Sequence, residues 1–560
     1  MYNFTTYVKY KVDGKIYTSY EKENTFCKIA VAVDDDKITA SIVPDCKMEL
    51  IEFKLDTKIP HKKGDVFFVN GYQSWSTSWE VQKESILKST NPITNISAWS
   101  KNAAQVGGDY MFAGYKKQKG YFHSNGYTYI RNGKDVEFFG SLSERSGYTL
   151  FKYDMNTSDF SIVKDVEGLV IDTEYALVDV VTFKGTYDEV FDKYFEAMKV
   201  PAPRLKHLAG YTSWYNYFQK IDENIILRDL DGLDRAKDNV SIYQIDDGYE
   251  TKVGDWLIKN DKDFPRGMKF IADKVHEKGY LAGIWIAPFS CQTDSVVAKE
   301  HPEWFIKVPG TDKRHLGTFA WHGSYTLDIY NEGARNYIKN YFDVILNEWG
   351  YDMVKLDFLY SQCVFPRNGK TRGQIMCEAM DFLRECVGDK LFLGCGVPLL
   401  PAFGVVDACR ISCDVSLSYR PKIENVLNVC NELPSAQNAI NNTIFRRHLD
   451  GRVFCNDPDV FFLRSNNLKF NFEQKLLLAF INHLMGNVLF VSDNAGDYTD
   501  KEIELLKMFF EENDSKIISA ERVNLGDDIE VVFDNGKGVK TLKFNLLTGV
   551  SNIKEILGVK

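Results

Sequence analysis

Residues 240–250 read VSIYQIDDGYE, and residues 351–360 read YDMVKLDFLY. Each stretch is a short apolar run followed by aspartate, and amphipathic stretches separate it from similar runs before and after it. Alternation of this kind is typical of β/α units built around parallel strands. The two stretches therefore predict a parallel β/α domain in the middle of the chain.

Eight runs of this kind follow residue 204. The stretches between them carry apolar residues on one helical face, as at Met268, Ile271, Ala272 and Val275. Eight such units in about 290 residues match the size of a (β/α)₈ barrel, or TIM barrel. The runs cover residues 208–218, 240–250, 280–289, 351–360, 391–400, 405–415, 452–463 and 487–493.

The regions on either side of the predicted barrel are rich in strand-like patterns. Residues 1–203 alternate or cluster β-branched and aromatic residues between Asp-Gly and Asn-Gly turns, which predicts a β-sandwich. The stretch GTYDEVFDKYFEAMKVPAPR has helical spacing and is expected to connect the sandwich to a barrel of residues 204–495. Residues 496–560 predict one helix and a small β-rich domain. The strand-like runs of the first region are 7–20, 37–43, 65–75, 108–117 and 167–183.

The composition is that of a globular protein with many aromatic residues. Of 560 residues, 44% are hydrophobic and 26% charged, while Trp 9, Tyr 30 and Phe 38 make up 14%. Lys+Arg 68 against Asp+Glu 78 gives a net charge of −10. Because no long Lys/Arg block occurs, nucleic acid is not expected as a partner.

Cysteine usage and the first residues predict the compartment. The 11 cysteines are scattered and form no CxxC pair, so they are expected to be buried thiols in a reducing compartment. The start lacks the pattern of a signal peptide, and no apolar run approaches the ~18 residues needed to span a bilayer. We therefore expect a cytoplasmic protein without a membrane partner, and its oligomeric state stays open.

Polar residues at the ends of the barrel strands are the candidates for chemistry, because active sites of such barrels form at the C-terminal strand ends. One carboxylate in such a place is often a helix cap or part of a surface ion pair. Three strands of one ring ending in this way favour a functional site. The residues are Asp246 and Asp247, Lys355 and Asp357, and Arg410 and Asp414.

Asp357 and Asp414 predict a catalytic pair, since they close strands two positions apart and can face each other across the mouth. Two carboxyls about 5–5.5 Å apart suit double-displacement glycoside hydrolysis. One attacks the anomeric carbon; the other protonates the leaving oxygen and later deprotonates water. Lys355 is expected to keep Asp357 ionised, whereas Asp414 needs desolvation or nearby negative charge to stay protonated.

Other chemistries fit the pattern less well. Carboxylates also hold Mg²⁺, but no His joins the cluster and Lys355 competes with a cation, so we expect neither a metal nor another cofactor. A metal-dependent barrel enzyme remains a rival. The chain has no Gly-x-Ser-x-Gly elbow and no phosphate-binding glycine loop, and Cys395 and Cys413 have no His nearby in sequence.

Aromatic residues recur at the same strand ends, with Trp214 in the first run, Trp256 after the second and Trp285 in the third. Any one of them is also explained by core packing. Sugar rings, however, pack their apolar faces on indoles while their hydroxyls need acceptors such as Asp246 and Asp247. The combination favours a sugar ligand.

The chain resembles glycoside hydrolase family 36, the alpha-galactosidases, and is most similar to its compact members with a sandwich, a barrel and a short β-rich domain. No single motif decides this; their number and order do. The motifs are NGYQSWS at residues 70–76, SWYNYF, QIDDGY, GIWIAPF, VKLDFLY, LGCGVPLLP, VDACRISCD and NDPD.

The resemblance implies a role for each candidate. It implies that Asp357 is the nucleophile and Asp414 the acid/base. It also implies that a tryptophan of the sandwich reaches the barrel mouth. Cys395 and the stretch 415–419, which departs from the family pattern, are expected near the 2-position of the sugar. The implied substrate ligands are Asp246 and Asp247 for the 4- and 6-hydroxyls, Lys355 and Arg410 for others, and Trp75, Trp214 and Trp285 for the walls.

We therefore predict a retaining exo-alpha-galactosidase that releases terminal alpha-linked galactose from small oligosaccharides such as melibiose or raffinose. An alpha-N-acetylgalactosaminidase and a transgalactosylase stay open on the same scaffold, because the 2-position is unsettled. A non-catalytic carbohydrate-binding protein is the rival from another class.

Overall fold

The computed structural model describes residues 2–93, 107–419, 430–523 and 526–559. Contacts within the chain group it into two units. The first comprises Met1–Pro201, Gln362–Phe382 and Pro398–Val405, and the second comprises Ala202–Ser361, Leu383–Val397 and Val406–Lys560. The division into three domains at residues 203 and 495 stays a prediction.

The first unit contains two seven-stranded antiparallel sheets. One has the order β2-β1-β5-β12-β11-β8, with β13 also paired to β5, and the other has the order β3-β4-β14-β10-β9-β6-β7. The strands are β1 (Thr5–Val12), β2 (Lys15–Ser19), β3 (Cys27–Val33), β4 (Lys37–Pro44), β5 (Met48–Lys58), β6 (Val66–Val69), β7 (Trp79–Val81), β8 (Tyr121–Asn125), β9 (Tyr127–Asn132), β10 (Asp135–Ser141), β11 (Thr149–Asp154), β12 (Asp159–Lys164), β13 (Leu169–Ile171) and β14 (Tyr175–Gly185).

These two sheets pack face to face, which confirms the predicted sandwich. Strand β1 alternates exposed or partly exposed residues with buried ones, as a strand with one face on a core does. Phe139 of one sheet and Phe160 of the other lie 4.7 Å apart between ring centroids. The connector is also helical, since helix α1 (Tyr187–Met198) begins at a capping box formed by Thr186 and Glu189.

The prediction of a strand at residues 108–117 is wrong. Phe112 N and Ala113 N both donate to the Asp109 carbonyl, at 3.1 and 2.8 Å, so the chain turns there. The Asp109 carboxylate also accepts hydrogen bonds from Tyr115 and Asn125. Local hydrogen bonding by an aspartate offers the backbone an alternative to a sheet ladder, and the aromatic residues that suggested a strand do not reveal it.

The second unit contains an eight-stranded parallel barrel with the order β24-β23-β22-β21-β17-β16-β15-β25. All eight predicted runs contain one of these strands. The ring closes where Asn487 N, just before β25, donates to Asn456 O of β24 at 3.2 Å. The strands of this unit are β15 (Leu208–Thr212), β16 (Ile242–Ile245), β17 (Leu281–Ile286), β18 (Ser290–Gln292), β19 (Leu316–Thr318), β20 (Ser324–Thr326), β21 (Met353–Leu356), β22 (Leu391–Gly394), β23 (Ala408–Arg410), β24 (Cys455–Asp457), β25 (Val488–Val491), β26 (Lys516–Arg522), β27 (Asp528–Asp534) and β28 (Val539–Asn545).

Helices alternate with the barrel strands as the periodicity predicted. Met268, Ile271, Ala272 and Val275 are the buried residues of their helix, so the predicted apolar face is confirmed. The remaining α-helices of the described residues are α2 (Trp214–Tyr217), α3 (Glu223–Gly232), α4 (Gly267–Glu277), α5 (Val296–Glu300), α6 (Glu332–Asp343), α7 (Arg372–Val387), α8 (Leu399–Ala402), α9 (Ala436–Phe445), α10 (Phe472–Met485), α11 (Asp500–Phe510) and α12 (Ile553–Leu557). The short 3₁₀ helices are Leu233–Asn239, Pro302–Trp304, Ala320–His322, Leu359–Cys363, Arg447–Leu449 and Ala495–Asp497, and a π-helical turn, Val344–Glu348, extends α6.

Two smaller sheets complete the second unit. Strands β18, β20 and β19 form a sheet in the excursion between β17 and α6. Strands β26, β27 and β28 form an antiparallel sheet after α11. The predicted pair joined by Asn-Gly corresponds to β27 and β28, and β26 is an addition. The predicted fold class, a TIM barrel with an N-terminal β-sandwich and a small C-terminal β-rich part, is confirmed.

Gly210 tests the packing of the barrel. It faces Ile242 of the neighbouring strand in the parallel ladder, and a Cβ there would lie 1.9 Å from the Ile242 carbonyl oxygen. We expect Gly210→Ala to lower the free energy of unfolding by about 1–3 kcal/mol or more, measured by urea denaturation. Gly114→Ala is the control, because no atom of the residues that the structure describes lies within 4 Å of its added Cβ. Equal stability of the two variants would contradict this packing.

Candidate active site

The parallel strands of the barrel end on one side, and the predicted polar residues of the second unit lie there. Asp246 directly follows β16, Cys395 follows β22, and Asp357 follows β21. Arg410 is the last residue of β23. The structure thus brings these four residues, together with Lys355 of β21, to the end where barrel active sites form.

Asp246 and Lys355 form a buried ion pair. Lys355 Nζ donates to Asp246 Oδ2 at 2.8 Å, and the side chains are 7% and 4% exposed respectively. Gln244 Nε2 donates to the same oxygen at 2.8 Å, while Asp247 N donates to Asp246 Oδ1 at 3.0 Å. Burial alone lowers the pKa of the Lys355 ammonium, but the Asp246 carboxylate outweighs it and raises that pKa above its usual value. Lys355 is therefore held as a cation.

Asp247 lies in a network of donors. Gln219 Nε2 donates to both of its carboxylate oxygens, at 3.1 and 3.0 Å, and Trp321 Nε1 donates to Oδ2 at 2.8 Å. Burial raises the pKa of Asp247, and burial together with the Asp247 charge raises the pKa of Glu250 further above its usual value. Glu250 is therefore the member of the pair whose charged form burial disfavours more strongly.

Gly248 makes this close approach possible. Its φ is +123°, and a Cβ at this position would lie 2.8 Å from Gln219 Cα. Only glycine adopts this backbone conformation without strain and leaves the room that Gln219 occupies. In the Asp-Asp-Gly motif, the two aspartates are acceptors, and Gly248 leaves the room in which Gln219 reaches Asp247.

Asp357 is buried and held by N–H groups. Trp285 Nε1 donates to Oδ2 at 3.2 Å and Phe358 N donates to Oδ1 at 2.8 Å. Burial raises the pKa of Asp357, Lys355 and Trp285 act to lower it, and the charge of Asp414 raises it again. The structure therefore modifies the expectation for Lys355. Its direct ion pair is with Asp246, and its effect on Asp357 is smaller than that of burial.

Cys395 lies beside Asp357. Its backbone N donates to Leu356 O at 2.8 Å, which joins β22 to the end of β21. The thiol is close enough to the Asp357 carboxylate to lower the pKa of this carboxyl, although less than Lys355 and Trp285 do. Burial raises the pKa of the thiol itself well above its usual value. Cys395 is therefore a neutral donor rather than a thiolate nucleophile.

Asp414 lies at the open side of the cluster. Arg410 Nη1 donates to Asp414 Oδ1 at 3.0 Å, with the Arg410 side chain 3% exposed and that of Asp414 42% exposed. The same guanidinium contacts Asp457 at 3.4 Å and Asp459 at 2.8 Å. Of the two conditions expected for an acid, desolvation is only partial, whereas other acidic side chains, Asp457 and Asp459, lie nearby on the same guanidinium.

A cavity of about 770 Å³ opens next to Asp414. One wall is Trp214, Tyr215 and Phe218, which lie on or just after α2. The stretch from Asp414 to Ser418 forms a second wall. The remaining lining residues are Pro434, Asn467, Leu468 and Lys469.

Aromatic rings form a cluster beside Asp357. Trp285 packs against Trp256 at 5.9 Å and against Trp321 at 5.8 Å between ring centroids, and Trp321 packs against Phe358 at 5.0 Å. Trp256 and Trp285 are only 1% and 2% exposed, so burial alone does not distinguish which of these rings faces the cleft. Trp75, by contrast, belongs to the first unit, where it is partly buried between β6 and β7. Its contribution to the barrel mouth stays a prediction.

The sequence reasoning missed several residues of this cluster. Trp321 lies in the excursion between β17 and α6, where no periodic pattern precedes it. Gln219 follows the first strand in an irregular stretch. Asp457 and Asp459 both belong to the quoted NDPD motif, but neither is among the candidates of the sequence analysis. A search for aspartate within two residues of a strand end would have found the last two.

In residues 2–93, 107–419, 430–523 and 526–559, no three His, Cys, Asp or Glu side chains are grouped as metal ligands. No helix of the same residues is long and apolar enough to cross a membrane.

A closed parallel barrel with carboxylates grouped at the C-terminal strand ends is the architecture of barrel glycoside hydrolases. The family model described as Melibiase matches residues 216–372. Alpha-galactosidase 1 of Pediococcus pentosaceus is 28% identical over 181 residues, which is 29% of this chain and 24% of that protein. This part of the chain is therefore similar to alpha-galactosidases.

Two further relatives widen the comparison. The A type blood alpha-D-galactosamine galactosaminidase of Flavonifractor plautii is 31% identical over 153 residues, covering 26% of this chain and 14% of that protein. The alpha-galactosidase of Thermus thermophilus, solved with p-nitrophenyl alpha-D-galactopyranoside, has a TM-score of 0.70 at 24% identity and covers 89% of this chain and 96% of its own. The structural match shows the shared fold. The chain spans about a quarter or less of the length of these two curated relatives.

The Asp246–Lys355 pair provides a test of the site's electrostatics. We expect Lys355→Met to lower the free energy of unfolding by about 3–5 kcal/mol, because it leaves the buried Asp246 carboxylate without its cation. The double variant Lys355→Met/Asp246→Asn serves as the control, since it removes both charges and recovers most of the loss. Thermal unfolding at pH 7 measures both. A double variant no more stable than the single one would contradict the pairing.

Proposed function

We propose that the chain is a retaining exo-alpha-galactosidase that releases terminal alpha-linked galactose from small oligosaccharides. The observation that carries the proposal is the pairing of Asp357 and Asp414. One carboxylate is buried and fixed by two N–H donors, the other is half-exposed beside a cavity, and they are close enough for their charges to interact. Two carboxyls in two such environments suit the two roles of double displacement.

Asp357 is proposed to attack the anomeric carbon. Trp285 and Phe358 donate to its two oxygens and fix its orientation, and Lys355 favours its ionised form. Its carboxylate oxygen forms a bond to the sugar carbon as the bond to the leaving oxygen breaks. The resulting ester is then hydrolysed by water.

Asp414 is proposed to protonate the leaving oxygen and afterwards to take a proton from the attacking water. Its half-exposed side chain lines the cavity, where a bound leaving group would lie. A substrate there would displace water from Asp414, and desolvation favours the protonated form of a carboxyl. In this proposal, Asp414 reaches the environment that an acid needs only when the substrate is bound.

The galactose itself is proposed to lie against the buried cluster. Asp246 and Asp247 offer acceptors for hydroxyls, and Lys355 and Arg410 offer donors. Trp285 offers a flat apolar face. Each of these polar groups is already fixed by a partner, so little reorganisation is needed when a sugar binds. Trp214, which lines the cavity beside Asp414, is proposed to contact the leaving portion of the substrate.

The choice between galactose and N-acetylgalactosamine depends on the space around the 2-position. Cys395 and residues 415–419 are proposed to border it, and Cys395 is a small side chain directly beside Asp357. The Flavonifractor plautii relative is named as a galactosaminidase. Alpha-N-acetylgalactosaminidase and transgalactosylase activities are therefore the alternatives, and p-nitrophenyl glycosides of both sugars assayed side by side would separate the first from the proposal.

We expect Asp357→Asn to reduce turnover of p-nitrophenyl alpha-galactoside at least about a thousandfold while the fold persists, because an amide cannot act as the nucleophile. Asp352→Asn is the matched control. Asp352 precedes the same strand at its opposite end, where it pairs with His276 and Lys390, and stability rather than chemistry is expected to depend on it. Near-normal turnover by Asp357→Asn would refute the assignment.

We expect Asp414→Ala to affect substrates according to their leaving groups. Hydrolysis of melibiose should fall about 10²–10⁴-fold, because its leaving oxygen must be protonated. Formation of the galactosyl-enzyme from p-nitrophenyl alpha-galactoside, followed as the burst of nitrophenol, should fall far less. Rapid-mixing kinetics on both substrates provide the measurement. Equal losses would count against an acid role for Asp414.

A further inference from the structure

Asp459 lies at the centre of a buried network that the scheme above does not use. Its side chain is 1% exposed, and its residue directly follows Pro458 after the end of β24. Oδ2 accepts Val415 N at 2.7 Å and also the hydroxyl of Tyr215. Oδ1 pairs with Arg410 Nη2 at 2.8 Å. One carboxylate therefore contacts three separate segments.

Two of these segments are the walls of the cavity. Val415 directly follows Asp414, so the Val415 N–H bond fixes the backbone that carries the proposed acid. Tyr215 follows Trp214 on α2 and lines the opposite wall. Asp459 thus holds the acid's segment and the aromatic segment at a defined separation on either side of the place proposed for the leaving group.

The backbone at Asp459 is itself constrained. Its φ is +80°, in the left-handed region that a side chain other than glycine rarely adopts. Asp459 N donates to Asp457 Oδ1 at 2.9 Å, Val460 N donates to Asp459 Oδ1 at 2.8 Å, and Asn482 Nδ2 donates to Asp459 O at 2.9 Å. Backbone strain persists only where surrounding contacts over-determine it, and it is concentrated at functional sites.

Asp459 also shares a cation with Asp414. Arg410 donates Nη1 to Asp414 and Nη2 to Asp459, so the two carboxylates compete for one guanidinium. Burial raises the pKa of Asp459 to about 7, and the Arg410 charge opposes this shift. Titratable or charged groups interacting with Asp414 or Asp459 in the described residues are Arg410, Asp357, Asp457, Tyr215, Cys395 and Cys413.

We propose that Asp459 is a positioning residue for the general acid: it holds the Asp414–Val415 backbone in place and keeps Arg410 from neutralising the Asp414 carboxylate completely. The inference rests on the proposed function, because it assigns Asp459 a role through Asp414. It adds a residue and a mechanism that the catalytic pair does not contain. A purely structural Asp459 would stabilise the barrel without affecting proton transfer.

Asp459→Asn tests this proposal. The amide keeps the size of the side chain but cannot ionise, so the Arg410 guanidinium loses one carboxylate partner and is left to Asp414 and Asp457. We expect kcat/KM for melibiose to fall about 10–100-fold, and the nitrophenol burst from p-nitrophenyl alpha-galactoside to fall less than about threefold.

A double-variant cycle separates positioning from support of the fold. If Asp459 acts through Asp414, adding Asp459→Asn to Asp414→Ala causes little further loss on melibiose. The matched control is Asp493→Asn. Asp493 is also a buried aspartate that accepts a tyrosine hydroxyl, from Tyr498 at 2.5 Å, a backbone N–H, from Leu463 at 2.8 Å, and an arginine, Arg464. Its loss should lower Tm without changing the ratio between the two substrates.

The possible results separate a failure of the role proposed for Asp459 from a failure of the proposed function. Equal losses on both substrates for Asp459→Asn, or a full additional loss in the Asp414→Ala background, would overturn the positioning role. If Asp414→Ala itself shows no leaving-group dependence, the proposed function fails instead. Should Asp459→Asn not fold, Tyr215→Phe removes one of its bonds and must change the substrate ratio in the same direction, or the proposal is wrong.

Discussion

The site depends on the closure of the parallel ladder. Parallel strands hydrogen-bonded into a ring place all their carboxyl ends on one side, so residues far apart in sequence become neighbours. Asp246 and Asp357 come together in this way because β17 lies between β16 and β21 in register. The bond between Asn487 and Asn456 joins the last strands and completes the ring. Without closure, the segments that carry Arg410 and Trp214 would not face one cavity.

Within this ring, each buried charge is compensated by a specific partner. Lys355 is paired with Asp246, and Arg410 is shared by three aspartates. Burial raises the pKa of Asp247 and raises that of Glu250 further, so it disfavours the charged form of each carboxyl. Uncompensated buried charges are costly. Asp357 is held by two N–H donors instead of a direct ion pair. Asp414 shares Arg410 but is half-exposed to the cleft.

The sequence was informative where a pattern repeats. The eight apolar runs predicted the barrel strands, and aspartates at their ends predicted Asp246, Asp357 and Asp414 as neighbours. Residues in irregular segments were not predictable in this way, because nothing periodic places Trp321 or Gln219 next to Asp247. The partner of Lys355 also could not be predicted. Strand geometry places its side chain on the same face as that of Asp357, but only the ring brings Asp246 within 2.8 Å of its ammonium. At residues 108–117 the sequence predicted a strand that the structure does not contain. Composition suggested the strand, but local hydrogen bonds to Asp109 form a turn instead.

The central claim is that Asp357 and Asp414 act in one double displacement. Proton NMR of the sugar released in the first minutes from an alpha-galactoside tests it most directly, because each displacement inverts the anomeric carbon. The account predicts that alpha-galactose appears first and that the beta anomer follows only by mutarotation. Initial release of beta-galactose would show a single displacement and would contradict the account.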